Sequence, residues 1–466
     1  MSGIPTPEIS GGQSSPQAPK VEKSPSVREK IQGRIDSYRR KRAREGHGLV
    51  RPTKIPGTED DRGLVERFER AEILRTYLRF REEIRQREQK GQDSSEVKGR
   101  LADFRSKARV YENKMDILNE QFYKKIEEPA ESIEPIEPTE PTPENPVGVR
   151  KIHIEDPELG ILDNYVVTLD LNPPIEGQVD TRIPYLLIPT YAATPHHVVN
   201  MAASILYEGG KVIALTDPAN RATTDTPEKI DDWLSRVKAE GSLRLHAKLV
   251  KKIAEKLEIQ KANVVGISMG AEVALQAALD PEFASIMNDL VVVEPTGIAG
   301  NQKHPVKLLW DFAARQGWRT AHDKEMGIKT FGPSERPEFQ KTELRDGKVA
   351  RVLAPILAKG LITPEMIARI NPQGQFQIWV GTKSSITGER TLKALLEAER
   401  QRLIQNPNGA RMHIMHFEGD HSTPGTRLGV GSIITKPQDP NSTVIHVSSE
   451  DMDRGVAQSI LSGRYT

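Results

Sequence analysis

Cysteine is absent from the 466-residue chain, which excludes disulfide bonds, thiolate catalysis and cysteine-based metal sites. Aromatic residues make up only 5% of the sequence and apolar residues 36%, whereas 28% of the residues are charged. This composition is poor for a fully packed chain of such length, so we expect one part to be extended or disordered. The formal net charge of +1 gives no overall bias toward nucleic acid.

Long apolar runs are missing as well. No stretch approaches the roughly 18 consecutive apolar residues that a transmembrane helix needs. The N-terminal segment is polar and rich in proline and serine, without the apolar core of a signal peptide. We therefore expect a protein that has no transmembrane segment and resides in the cytoplasm.

The N-terminal region 1–59 is predicted to be disordered, with a basic segment in its second half. The basic residues cluster within 28–54 and include Arg39, Arg40, Lys41, Arg42 and Arg44. Such a charge run is most often a solvated, poorly ordered face, and we prefer that interpretation. Contact with an acidic partner, nucleic acid or an anionic lipid surface is the less favoured alternative.

Two helices are predicted within 60–127. The first covers about Asp60–Lys90, Gly91 separates it from the second, and Asp93 and Glu96 have the spacing of a capping box. The second helix carries a seven-residue apolar repeat, formed by Val97, Leu101, Phe104, Ala108, Tyr111, Met115, Leu118 and Phe122. A helical hairpin within the chain would bury this seam, and we prefer it slightly. Self-association as a coiled coil, or contact with a protein partner, is the alternative.

The segment 128–149 is predicted to be a linker. It reads EEPAESIEPIEPTEPTPENP over most of its length. Its prolines favour an extended chain and its glutamates repel one another. We expect it to separate the helical region 60–127 from a second domain, 150–466.

Strands and helices alternate in the second domain. The apolar runs are KIHIEDP, NYVVTLDLN, IPYLLIPTY, KVIALTDP, ANVVGIS, DLVVVEP, FQIWVG and RMHIMHFEG, and most are separated by helical patterns. This alternation predicts an α/β fold with a largely parallel, doubly covered sheet. The stretch 297–371 is long, mostly helical and contains Trp310 and Trp318, which indicates an insertion above the sheet.

One segment of this domain has the pattern of a catalytic turn. An apolar strand, Ala262–Val265, runs into Gly266-Ile267-Ser268-Met269-Gly270, and a helix of small residues follows at once. Such a turn holds the serine in a strained backbone conformation, which requires small neighbours. The helix that follows favours developing negative charge at its N-terminus. The pattern predicts Ser268 as a nucleophile.

The region from about residue 150 to the C-terminus, about two thirds of the chain, resembles the α/β-hydrolase superfamily on this turn and two further segments. KVIALTDPANRATT resembles the family's fourth strand and its loop, and FEGDHST resembles the loop after the last strand. The resemblance implies a triad in the order nucleophile, acid, histidine. It assigns His421 as the general base for Ser268.

The resemblance leaves two positions for the acid. The family commonly places it after the strand that here reads Phe376–Gly381, but the chain continues with Thr382-Lys383-Ser384-Ser385, which has no carboxylate. The other position is the end of the strand after the nucleophile's helix. Glu294 stands there, and we predict it as the acid that orients His421.

The same resemblance implies an oxyanion hole made by two backbone N–H groups. These belong to Met269 and to Tyr191, which follows the strand Leu186–Ile188 in a loop where the family usually has His-Gly. The sequence has no phosphate-binding glycine loop, no dinucleotide fingerprint and no metal-ligand cluster, so no cofactor is expected.

Together these features predict a serine hydrolase that cleaves an ester, thioester or related small acyl substrate, with 297–371 as a lid. The competing hypothesis is a catalytically weak or inactive binding or scaffold protein on the same fold, with the helices of 60–127 as its interaction region. The absent carboxylate after Phe376–Gly381 and the absent His-Gly favour this alternative. Fold alone does not decide between them.

Overall fold

The computed structural model describes residues 71–108, 139–142, 146–174, 180–188, 201–202, 205–206, 208–216, 227–298, 347–384, 386–407, 409–419, 424, 430–448 and 451–452. The region 1–59, the beginning of the predicted first helix and most of the predicted lid (299–346) lie outside the described residues.

The described residues contain one sheet of nine strands. These are β1 (Val147–Asp156), β2 (Gly160–Leu169), β3 (Tyr185–Ile188), β4 (Val212–Ala214), β5 (Ala262–Ile267), β6 (Met287–Val293), β7 (Phe376–Gly381), β8 (Met412–Phe417) and β9 (Val444–Val447). Their order in the sheet is β1-β2-β4-β3-β5-β6-β7-β8-β9. The pairs β1–β2 and β2–β4 are antiparallel and the other pairs are parallel, which confirms the predicted α/β fold.

The continuous apolar runs are explained by burial on both faces of this sheet. Every residue of β5 and of β7 is buried. Neighbouring residues contribute to two different core clusters: Val264 and Val292 to one, Val265 and Val291 to the other. Strand periodicity places these sets on opposite faces, so each face needs its own layer of helices.

Helices supply both layers. They are α1 (Ala71–Gln89), α2 (described over 95–108), α3 (Pro227–Glu240), α4 (Arg244–Lys256), α5 (Met269–Ala277), α6 (Pro281–Ile286), α7 (Gly347–Leu357), α8 (Pro364–Ala368), α9 (Glu389–Gln405) and α10 (Val430–Ile434). Core residues of α3, α4, α5, α7 and α9 belong to the cluster of Val264. Those of α1, α2 and α10 belong to the cluster of Val265.

The two N-terminal helices turn back on each other through Gly91, whose φ of 67° suits glycine. The rings of Phe80 on α1 and Phe104 on α2 have centroids 5.9 Å apart. The described half of the apolar seam is buried in the same cluster as sheet residues such as Val149 and Leu169, and consists of Val97, Leu101, Phe104 and Ala108. The other half, from Tyr111 to Phe122, lies outside the described residues.

We predict that Phe104→Ala lowers the free energy of unfolding of the whole domain by about 3–5 kcal/mol. Phe104 is fully buried in a cluster that it shares with sheet residues, so the cavity would weaken the common core. Denaturant unfolding followed by circular dichroism measures the change. Leu396→Ala, at an exposed position on α9, is the control. A separate early transition that leaves the main one unchanged would mean that α1 and α2 fold as an independent unit.

The described part of the predicted linker lies against the sheet. Thr139 N donates to Val149 O at 3.0 Å, and Val149 N donates to Thr139 Oγ1 at 3.0 Å. Arg150 forms an ion pair with Glu140 at 2.5 Å. β1 also begins at Val147, three residues before the predicted domain boundary, because these residues continue the ladder with β2. Residues 147–149 of the predicted linker thus belong to β1, and Thr139 and Glu140 contact that strand.

One further difference from the sequence prediction concerns the last strand. β8 was expected to be the last strand, but β9 follows it and pairs parallel to it. The predicted insertion 297–371 is anchored at its base, where Ile298 bridges to Ile362 and Ile362 N donates to Gly297 O at 2.9 Å. The helices α7 and α8 belong to its described part, while Trp310 and Trp318 lie outside it.

Candidate active site

Ser268 occupies the sharp turn between β5 and α5. Its φ of 58° and ψ of −112° are a conformation that side-chain-bearing residues rarely adopt. A Cβ on Gly266 would lie 2.3 Å from Gly270 O and 2.8 Å from Ala271 Cα, so the start of α5 packs directly on this glycine. The small residues around Ser268 are therefore required by the turn itself, as the sequence predicts.

We predict that Gly266→Ala lowers the free energy of unfolding by about 3 kcal/mol, because the added methyl group would overlap backbone atoms. Gly99→Ala is the matched control: a Cβ on Gly99, which lies in α2, would meet nothing within 4 Å. This substitution should raise the free energy of unfolding by about 0.5–1 kcal/mol. Urea titrations of both variants measure the difference, and equal midpoints would contradict the close approach at Gly266.

The turn is joined to the neighbouring strand, since Ser268 N donates to Val293 O at 2.8 Å. Ser268 is 1% exposed, and Met269, the first residue of α5, is also buried. A strained serine between the fifth strand and the next helix of a mostly parallel sheet is the arrangement that the sequence resemblance implies. The second domain thus combines a mostly parallel, doubly covered sheet with this turn.

Glu294 directly follows β6 and is fully buried. Its φ is 55°, and its N–H donates to Trp379 O at 2.9 Å. Oε1 accepts hydrogen bonds from Gly381 N at 2.5 Å and Thr387 Oγ1 at 2.6 Å. Oε2 accepts from Ser384 Oγ at 2.5 Å. The carboxyl group of Glu294 is thus buried and accepts hydrogen bonds from three convergent donors.

All three donors come from the end of β7 and the loop after it. This is where the family commonly carries its acid and where this chain has none. Gly381, Ser384 and Thr387 instead bind the carboxylate that extends from β6. The sequence prediction missed these partners, although Ser384 and Thr387 lie in the loop after β7, where the family commonly has its acid.

His421 lies outside the described residues, but the chain leading to it is described as far as Gly419. Lys383 N donates to Gly419 O at 2.8 Å. A Cβ on Gly381 would lie 2.7 Å from Gly419 O and 3.1 Å from Glu294 Oε1, so both oxygens crowd the same glycine. Gly419, which stands two positions before His421 in the sequence, therefore lies beside the Glu294 carboxyl group.

The remaining predicted site residues are Met269 and Tyr191. Met269 begins α5, where the first N–H groups of a helix have no acceptor four residues back. Tyr191 lies outside the described residues, three positions after the end of β3 at Ile188. The parallel pairing of β3 with β5 brings the carboxyl ends of both strands to one edge of the sheet.

The strand histidines have surroundings of their own. His413 Nδ1 lies 2.7 Å from Ser442 O. The ring of His416 lies 5.4 Å from that of His446 on β9, and burial, followed by the charge of His446, lowers the pKa of His416. In the described part of the chain, no group of three or more potential ligand side chains could hold a metal ion.

Comparisons with solved structures find many hydrolases. A bacterial membrane phospholipase A aligns with a TM-score of 0.41 and 12% identity over 60% of this chain and 82% of its own. A lipase from Acinetobacter baumannii aligns with a TM-score of 0.41 and 15% identity, over 61% of this chain and 88% of its own. The thioesterase domain of the curacin biosynthetic pathway aligns with a TM-score of 0.40 and 14% identity, over 62% of this chain and 99% of its own.

Comparison by sequence gives no match, either to a family model or to a curated protein. Across the described residues, no helix combines the length and the apolar character needed to cross a membrane.

Proposed function

We propose that this protein is a serine hydrolase that cleaves an ester, thioester or related acyl substrate. Ser268 is the nucleophile, His421 the general base and Glu294 the acid that orients His421. The backbone N–H groups of Met269 and Tyr191 stabilise the oxyanion. The insertion 297–371 acts as a lid that contributes to substrate choice.

The reaction proceeds through an acyl-enzyme. Ser268 Oγ attacks the carbonyl carbon while His421 accepts the hydroxyl proton, and the negative charge collects on the carbonyl oxygen. Collapse of this intermediate expels the alcohol or thiol, which receives the proton from His421. Water, activated by the same imidazole, then attacks the acyl group and releases the carboxylic acid and free Ser268.

The single observation that carries the proposal is the backbone conformation of Ser268. A φ of 58° at a residue with a side chain is strained, and the surrounding fold must compensate for that strain. Among the described residues only Glu258 and Glu294 share a positive φ with Ser268 outside glycine, and Glu294 adjoins the strand that binds Ser268 N. Two strained residues at neighbouring strand ends are typical of an active site.

The buried carboxylate supports the acid role of Glu294. Three donors hold it in one orientation, and the chain that carries His421 starts beside it. A carboxylate fixed in this way can hold an imidazole in the tautomer that accepts the serine proton.

The test is covalent labelling of the full-length protein with a small fluorophosphonate, because Ser268 is almost fully buried and a bulky probe would report access instead of reactivity. We expect one label on the peptide that contains Ser268, identified by mass spectrometry. Labelling should disappear in Ser268→Ala, in His421→Ala and in heat-denatured wild type. Absence of label on folded wild type would contradict the proposal and favour the scaffold hypothesis.

A further inference from the structure

A second carboxyl group is enclosed next to the nucleophile. Glu272 lies on α5, four residues and about one helical turn after Ser268. It is 0% exposed. The helix that carries it packs against α4, β3, β5 and β6, so the carboxyl group lies in the core of the domain. The proposed reaction gives it no role.

The carboxyl group of Glu272 has little hydrogen bonding. Oε1 accepts a hydrogen bond from Gln276 Nε2 at 3.4 Å, which is long. Oε2 is buried and has no hydrogen-bond partner among the described residues. A charged carboxylate in such surroundings would be unstable, whereas a protonated one needs less compensation.

The carboxyl group lies against the backbone that follows the proposed acid. A Cβ on Gly297 would lie 1.9 Å from Glu272 Oε2 and 2.2 Å from its Cδ. The carboxyl group thus fills the space where a side chain at position 297 would be. Gly297 is three residues after Glu294, and its carbonyl accepts a hydrogen bond from Ile362 N at the base of the insertion. Glu272 therefore connects the nucleophile helix to the segment 294–298.

Among the described residues, no opposite charge stabilises the ionised form of this carboxyl group. The titratable groups of the elements packed on α5 are Tyr185 of β3, Asp289 of β6, Glu294 after β6 and, on α4, Arg244, His246, Lys248, Lys251, Lys252, Glu255 and Lys256. Burial raises the pKa of Glu272 to about 8, opposed only by the hydrogen bond from Gln276. Burial also lowers the pKa of His246 to about 3, so the one buried imidazole of α4 is neutral.

We propose that Glu272 is held as an uncharged carboxylic acid and positions Glu294 by anchoring the segment 294–298 to the nucleophile helix. The inference rests on the proposed function, because Glu294 acts through His421. Loss of the proton leaves an unpaired charge against Gly297. The carboxylate then has to reach water, which displaces the segment and disturbs the orientation of Glu294.

The first measurement is the rate of fluorophosphonate labelling across the pH range, compared between wild type and Glu272→Gln. For wild type we expect a fall of about tenfold between about pH 7 and about pH 9, because a group with a pKa of about 8 ionises there. Glutamine does not ionise, so the alkaline fall should be absent. Glu255→Gln, exposed on α4, should keep the wild-type profile. An alkaline fall that persists in Glu272→Gln would overturn the inference.

The second measurement does not depend on catalysis. Hydrogen exchange of the backbone amides of Glu294, Thr296, Gly297 and Ile298 should be faster in wild type than in Glu272→Gln at about pH 9 and equal at about pH 6. Glu272→Met, similar in length and also uncharged, replaces Glu272→Gln if the amide prevents folding. Equal exchange at both pH values would overturn the positioning role. If hydrogen-exchange protection depends on Glu272 but the wild type is never labelled by the fluorophosphonate, the positioning role of Glu272 is retained and the hydrolase function is rejected.

Discussion

Replacing Ser268 with alanine is expected to lower the kcat for an activated acyl ester by about a millionfold, because the nucleophile and its covalent intermediate are lost. The residual rate would come from the oxyanion donors and from substrate binding alone. The fold should remain intact, since the contacts of the turn with Val293 and α5 involve the backbone of residue 268. The position also accepts alanine, because its side chain is as small as that of serine.

Steady-state turnover of a panel of esters of increasing acyl length measures this loss. Ser285→Ala is the matched control, because Ser285 is an exposed serine of α6 whose hydroxyl donates only to Glu282 O at 2.7 Å. Its kcat should equal that of wild type. A Ser268→Ala variant that retains wild-type turnover would mean that another residue carries the reaction, or that the activity is a contaminant.

Replacing Glu294 with glutamine is expected to lower kcat by about four orders of magnitude. Three donors converge on the carboxylate, and the amide nitrogen of glutamine would turn a donor toward at least one of them. The hydroxyl groups of Ser384 and Thr387 can rotate, but the Gly381 N–H cannot. Under the proposed function, the imidazole of His421 then loses the acceptor that fixes its tautomer, so it no longer accepts the serine proton efficiently.

The change should appear in kcat far more than in KM, since the acid acts on the transition state through His421. Glu258→Gln is the matched control: Glu258 shares a φ of 55° with Glu294 but is exposed at the end of α4. Thermal melting of both variants shows whether a loss of kcat comes from a destabilised fold or from a misoriented base in an intact fold. A Glu294→Gln variant with more than about a tenth of the wild-type kcat would exclude Glu294 as the triad acid.

The strands were predictable because most of them are buried on both faces and therefore have continuous Val, Ile and Leu runs. β9 escaped prediction for the opposite reason: its four residues, Val444–Val447, are mostly half-buried or exposed, and only the pairing with β8 defines them. The apolar seam of the second helix was predicted from its period. The surface that buries this seam was not predictable, because a heptad repeat does not reveal whether another helix or a sheet covers it.

The turn at Ser268 was predictable because its requirements are local: a strand, two glycines and a helix follow one another within a few residues. The donors to Glu294 were not, since Ser384 and Thr387 are 90 and 93 positions away in the sequence. Glu272 also escaped notice, because a glutamate one turn into a helix is normally solvated. Its complete burial and the close approach of Gly297 distinguish it in the structure.

The docking of the Pro/Glu-rich segment has a consequence for solubility. β1 lies at the end of the strand order, and an open strand edge offers unpaired N–H and C=O groups to other chains. Thr139 occupies that edge at Val149, and the ring of Pro141 lies against Gly148. Proline has no N–H to extend the sheet further. The opposite edge is formed by the four-residue β9, so the fold limits edge-to-edge aggregation at both ends of the sheet.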